Sequence, residues 1–287
     1  MSPTFPPTEH HTFVKRATSD VLTPNDTQKV TLGVAAGYIL VIALRKPSPL
    51  LNKIIYPFKL LVVGMHEASH AFAGVVTCAV IESIQLDPDE GGATRMRGGV
   101  PAITLPAGYL GSSLIGAALI ACGFDINASK IATCALAVGF LITLWWARNS
   151  WIAWITVPLF TGLLALCWLI YDSVPLRFLV LFIGVMSTLL DQDASTPYGI
   201  SSMANTIKRK VNGSDASRFA AMIGFFGPRV WGVIWLINSI IFFAGGILIG
   251  IAAFKRSSGE QREAADRFMG GESRGRNDRF RARSQNP

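Results

Sequence analysis

Charge is scarce in this chain. Asp, Glu, Lys and Arg make up 15% of its 287 residues against 51% hydrophobic residues, a balance unusual for a soluble globular protein. Histidine occurs only four times. The four cysteines, Cys78, Cys122, Cys134 and Cys167, all fall inside apolar segments and have no CxxC spacing. Neither a zinc-thiolate site nor a disulfide framework is expected of them, only small buried residues. The first 28 residues have no short apolar core behind a basic start, so a polar tail is expected there rather than a signal peptide. Its His10-His11 pair has no Cys or carboxylate framework nearby and reads as solvated.

Long apolar runs are what the chain does have. Val100 to Phe124 and Val230 to Phe254 each run 25 residues without Asp, Glu, Lys, Arg or His, and Trp151 to Tyr171 runs 21. Each is long enough to cross a bilayer core of about 30 Å at about 1.5 Å per residue. Shorter apolar runs lie at 30–44, 60–81, 131–147 and 178–190. Together they predict an all-α polytopic membrane protein with about seven transmembrane helices, occupying 29–254 between the N-terminal tail and a C-terminal tail. As buried helices of a soluble protein, seven such segments would leave too little polar surface. Trp145, Trp146, Trp151 and Trp154 around Arg148 and Asn149 suit an aromatic belt at a tight turn.

The net charge of +8 is spread over loops and tails, so the lipid bilayer is the expected partner and nucleic acid is not. From Lys255 onward there are nine Lys/Arg and five Asp/Glu in a stretch rich in Gly, Ser and Arg. This reads as a basic disordered tail, 255–287, drawn to anionic lipid on the cytosolic face.

Between two of the apolar runs, "IESIQLDPDEGGATRMRGG" alternates polar and apolar residues on both sides of a Pro/Asp/Gly turn. It predicts a short β-hairpin with a loop longer than two residues. In "PAGYLGSSLIGAAL", Ala107 and Gly111, and Ser112 and Gly116, stand four apart, the spacing that lets helix backbones approach closely in lipid.

The chemistry-bearing stretch is "LLVVGMHEASHAFAGV". In a helix His66 and His70 share a face, so both imidazoles can hold one metal ion, with Glu67 beside them. Zinc lowers the pKa of a water it holds towards 7, and a neighbouring carboxylate can carry that proton to a leaving amine. This is the mechanical sense of His-Glu-x-x-His. Inside an apolar span, where each ionisable group costs on the order of 2 to 3 kcal/mol, the motif is far more specific than its five residues alone. A catalytic zinc normally has three protein ligands, so a later carboxylate is required. Asp191 and Asp193, at the end of an apolar run in "GVMSTLLDQDAS", are the candidates; Asp215 in "VNGSDAS" is weaker, being far from any apolar run. A metal transporter using the same histidines would need polar groups on other spans, and the charge-free runs offer almost none.

The intramembrane His66-Glu67-x-x-His70, the hairpin "GGATRMRGG", "PAGYLGSSLIG" and the late Leu190-Asp191 together resemble the site-2 protease family of intramembrane zinc metalloproteases. The B-like branch found in fungi and plants is the more similar, with "KRKVNGSDASRFA" and "WGVIWLINSIIFFAGG" also alike. The resemblance spans roughly 56–254. It implies a multi-pass enzyme that hydrolyses peptide bonds of membrane-protein substrates, with His66 and His70 as zinc ligands and Glu67 as catalytic base. It also implies that the hairpin, through Gly91, Gly92 and Thr94, binds an extended substrate strand. In the wider family Leu-Asp-Gly supplies the third ligand, whereas here Leu190-Asp191 is followed by Gln192. A catalytically silent relative that binds membrane clients is the alternative.

Overall fold

The computed structural model describes residues 22–45, 47–87, 91–189 and 215–268. Local chemistry sets most element ends. Helix α1 (Asp26–Leu44) starts at a capping box in which the Asn25 side chain accepts from the Gln28 amide and the Gln28 side chain accepts from the Asn25 amide. Helix α2 (Pro49–Val76) starts behind Ser48 with a proline in its first turn and carries Pro57 inside. It stops at Thr77, where Cys78 adopts a φ of 62° and turns the chain into strand β1 (Val80–Asp87).

Strand β2 (Gly91–Arg97) pairs with β1 antiparallel, with Ile84 opposite Thr94 and Leu86 opposite Gly92. The predicted hairpin is therefore present, with an irregularity in register between Ile81 and Ser83. Gly98 and Gly99, both at φ near 80°, make the turn into helix α3 (Pro101–Cys122). Asp125 caps the following helix α4 (Ile126–Trp146) through bonds from the Asn127 and Ala128 amides. Helix α5 (Trp151–Leu169), a 3-10 turn at Tyr171–Ser173 and helix α6 (Val174–Leu189) follow. Beyond the undescribed 190–214 come the short α7 (Asp215–Ile223), α8 (Pro228–Ala253) and α9 (Ser258–Phe268).

Among the described residues, five helices are long and apolar enough to cross a membrane: α1, α3, α4, α5 and α8. About seven are expected from the sequence. The difference lies in α6, which has only 16 residues, and in α2, whose length carries Lys53, Lys59 and Glu67.

Helix α3 is the axis of the bundle, and glycines set how closely its neighbours approach. A Cβ on Gly184 of α6 would stand 2.8 Å from the Gly116 carbonyl oxygen and from the Ile120 amide, and one on Gly246 of α8 would stand 2.6 Å from the Ala117 carbonyl oxygen. Gly111 meets Ser69 of α2 in the same way. Hydroxyl bonds join these seams: Ser113 and Ser239 at 2.6 Å, and Ser187 donating to the Ser112 carbonyl at 2.8 Å. Lipid tails are as apolar as leucine, so close backbone contact and such hydrogen bonds replace the hydrophobic effect as the source of specific packing.

The hairpin folds back on the bundle rather than projecting from it. Ile84 and Leu86 are buried in one cluster with Ala71 of α2 and Ile152 and Ala153 of α5.

The far end of α3 is closed by polar contacts. Gln261 of α9 is buried, donates to the Phe124 carbonyl oxygen and accepts from Arg177, which also donates to Thr31 of α1. The reading of a disordered tail from Lys255 is thus corrected over Ser258–Phe268, where Glu260 bonds the Ser257 amide at the helix start and Gln261 anchors the helix to the bundle. A run rich in charge conceals one buried amide.

The glycine seams make a paired prediction. Gly184→Ala forces Cβ against main-chain atoms that cannot rotate away, and should destabilise the detergent-solubilised protein by about 1–3 kcal/mol. Gly139→Ala, with nothing within 4 Å, should leave stability unchanged or raise it by up to about 1 kcal/mol through helix propensity. Thermal or denaturant unfolding of the two variants side by side distinguishes these outcomes.

Candidate metal centre

Helix α2 places His66 and His70 one turn apart, and both are buried together with Glu67. Their rings meet edge to face with centroids 4.6 Å apart, and the two Nε2 atoms lie 2.9 Å from each other. The third wall is Gly108 of α3. A Cβ there would overlap both imidazoles, so only glycine lets the two helices close around the rings. Ligating atoms of His66, Glu67 and His70 lie within 4.8 Å of one another, a group that could hold a metal ion.

A second layer orients these rings. Nδ1 of His70 lies 2.6 Å from the Thr104 carbonyl oxygen. A carbonyl only accepts, so Nδ1 carries the proton and the Nε2 lone pair faces the centre. The His66 ring packs edge-on against Tyr109, which stacks on Trp235 of α8.

The third side chain at this point is Asp215. Its Oδ2 is 3.2 Å from His66 Nε2 and 3.0 Å from His70 Nε2. Helix α7 carries it there because Ala216, Phe219 and Ala220 form one apolar stripe at positions i, i+3 and i+4. Ala216 and Phe219 dock against Tyr109 and Trp235, which leaves the first residue of the helix aimed at the imidazoles. Burial alone would raise the Asp215 carboxyl, but hydrogen bonds from His66 and His70 when these rings are protonated, together with their charge, outweigh it and hold the group well below the usual carboxylate range. An ionised carboxylate is the form that metal binding would require of it.

Of the carboxylates read from the sequence, the one judged weakest is the one brought to the histidines; Asp191 and Asp193 lie outside the described residues. The signal for Asp215 was an acid opening a short amphipathic pattern, "DASRFAAMI". Its distance from any apolar run concealed it.

The hairpin residues meet Glu67. Thr94 donates from Oγ1 to Glu67 Oε2 at 2.6 Å and lies 3.1 Å from the Glu67 carbonyl oxygen. A Cβ on Gly92 would come within 2.6 Å of Glu67 Oε1, so the strand backbone crosses directly over the carboxylate. Gly91, at φ 100°, faces open space.

One consequence of this packing is directly measurable. Gly108→Ala should abolish metal binding while leaving helical content intact, because the added methyl occupies the volume in which both Nε2 atoms converge. Elemental analysis together with circular dichroism of the purified protein checks both halves.

Comparison with known proteins agrees with the constellation. Searches of curated proteins and of solved structures return no match. A family model described as Peptidase M50B-like, of the site-2 protease family, matches residues 34–246. That span contains His66, Glu67, His70 and Asp215, the hairpin and all five candidate membrane helices in whole or in part. With a buried His66-Glu67-x-x-His70 among helices of membrane-spanning length, the match makes the chain an integral membrane protein of the Peptidase M50B-like family.

Proposed function

We propose that this protein is a zinc endopeptidase that hydrolyses peptide bonds of membrane-protein substrates, with His66, His70 and Asp215 holding the metal and Glu67 acting as base. The observation that carries this reading is the convergence of two imidazole nitrogens and one carboxylate oxygen at mutual distances of 2.9, 3.0 and 3.2 Å, with Glu67 beside them. A tetrahedral zinc with bonds of about 2.0–2.1 Å separates its ligand atoms by about 3.3 Å, so these side chains need move only a few tenths of an ångström to fit it. Three protein ligands leave the fourth position open, the catalytic rather than the structural pattern. With Asp215 as third ligand, neither Asp191 nor Asp193 is needed in the set.

Zinc, when bound, supplies a Lewis acid that lowers the pKa of water and polarises a carbonyl. The protein's own residues do the rest. Glu67 takes the proton of the attacking water as the C–O bond forms, and delivers it to the amide nitrogen as the C–N bond breaks. His70 is kept in the ligating tautomer by the Thr104 carbonyl. The two-stranded sheet leaves an outer edge on each strand, and the main chain around Gly91 and Gly92 offers an extended substrate segment a template beside Glu67. Helices α2 and α6 complete a set of seven spans in this reading, with the end of the bundle bearing Lys255 and Arg256 in the cytosol. The silent-relative alternative drew its support from a gap in the ligand set, which Asp215 would fill in this reading.

The test combines metal content with cleavage. Wild-type protein should contain stoichiometric zinc. Asp215→Ala should lose it, and Asp191→Asn and Asp193→Asn should keep it. Glu67→Gln should retain zinc while cleavage falls by at least about 100-fold. Cleavage surviving Glu67→Gln overturns the mechanism, and zinc surviving Asp215→Ala overturns the ligand assignment.

A further inference from the structure

The reading above leaves Thr94 as one of several hairpin residues. Its geometry assigns it a narrower task. Cross-strand partners share a face of a sheet, and Thr94 stands opposite Ile84, which is fully buried. Thr94 therefore faces the bundle. Gly92 and Met96, two residues to either side, share that face, and each meets α2: Gly92 at Glu67, and Met96 at Gly74, where a Cβ would stand 3.2 Å from its sulfur. Glu67 and Gly74 are seven residues apart, two turns on one side of the helix. The strand thus lies lengthwise along α2 in a register that puts Thr94 over Glu67.

A hydroxyl has one proton to give. Here it is directed to Glu67 Oε2 at 2.6 Å, in the short range of charge-assisted O–H···O bonds. Branching at Cβ restricts the rotamer of threonine, so the donor is held in place by the strand. Within hydrogen-bond reach of Thr94 the carboxylate cannot rotate freely, and Oε1 is the oxygen left for the reacting proton. Gly92, by carrying no side chain, leaves Oε1 its space.

We infer that Thr94 is a positioning residue that locks the Glu67 carboxylate in its reactive orientation, rather than a contact for substrate. The inference rests on Glu67 being the base. It also makes the hairpin part of the catalytic apparatus, because one strand fixes the base while α3 packs on the two histidines. Thr94 itself neither gains nor loses a proton.

The experiment uses the full-length protein in phosphatidylcholine vesicles and, as probe, a fluorophore–quencher peptide with an apolar segment of about 20 residues. Thr94→Val preserves shape and removes the donor. It should lower kcat by about 10–100-fold, the usual effect of losing an outer partner of a metal site, with KM and zinc content unchanged. Thr94→Ser should restore most of the rate. A Thr94→Val protein with wild-type kcat, or one whose KM rises while kcat holds, overturns the inference; the second result would make Thr94 a substrate contact. Loss of zinc or of helical content in both Thr94→Val and Thr94→Ser would also overturn it, by assigning the residue to structure. Glu67→Gln assayed in parallel separates these outcomes from failure of the base assignment, since an active Glu67→Gln protein indicts the base and not Thr94.

Discussion

At Gly108 the backbone of α3 runs so close to His66 and His70 that no side chain larger than hydrogen can stand between them. The metal centre depends on this approach. Pressed against α3, the imidazoles are screened from solvent, one reaches the Thr104 carbonyl and the other packs on Tyr109. Tyr109 in turn belongs to the patch that receives α7. A single close helix crossing thus buries the rings, selects the tautomer of one and builds the platform that delivers Asp215. The same device recurs along α3 at Gly111 and Gly116 and on the partner helices at Gly184 and Gly246, which is why one helix organises so much of the bundle.

Ionisable groups inside apolar surroundings are tolerated only where each has a partner. The centre obeys this rule on every side. His66 and His70 face the Asp215 carboxylate, and Glu67 receives the Thr94 hydroxyl. At the other end of α3 the buried Arg177 is partnered through its two terminal nitrogens, shared between Thr31 and Gln261, while its Nε has no hydrogen-bond partner among the described residues. One cluster forms the candidate metal centre and the other ties α1, α3, α6 and α9 together, yet both answer the same cost of burying polarity.

Much of the architecture was legible in the chain itself. Charge-free runs marked α3, α5 and α8, the alternation around "DPDEGG" marked the hairpin, and the i, i+4 spacing of His66 and His70 marked the candidate ligand pair. These are local signals, carried by the periods of helix and strand. What escaped was of two kinds. Ser258–Phe268 looked like solvated tail because ten of its eleven side chains do not declare the buried role of Gln261. Asp215 looked remote because its neighbours in sequence are polar, while α7, the helix that docks through its apolar stripe, is only nine residues long.

The sequence by itself determined the class of the protein, a multi-pass helical membrane chain, and the His-Glu-x-x-His pattern of its candidate metal site, because length, hydropathy and a four-residue histidine spacing are properties of one segment at a time. Only the tertiary structure decided which carboxylate stands with the histidines, which hydroxyl meets Glu67 and why Gly108 must be glycine. Those depend on segments up to 149 residues apart meeting at a point, and no local pattern records where a helix will dock.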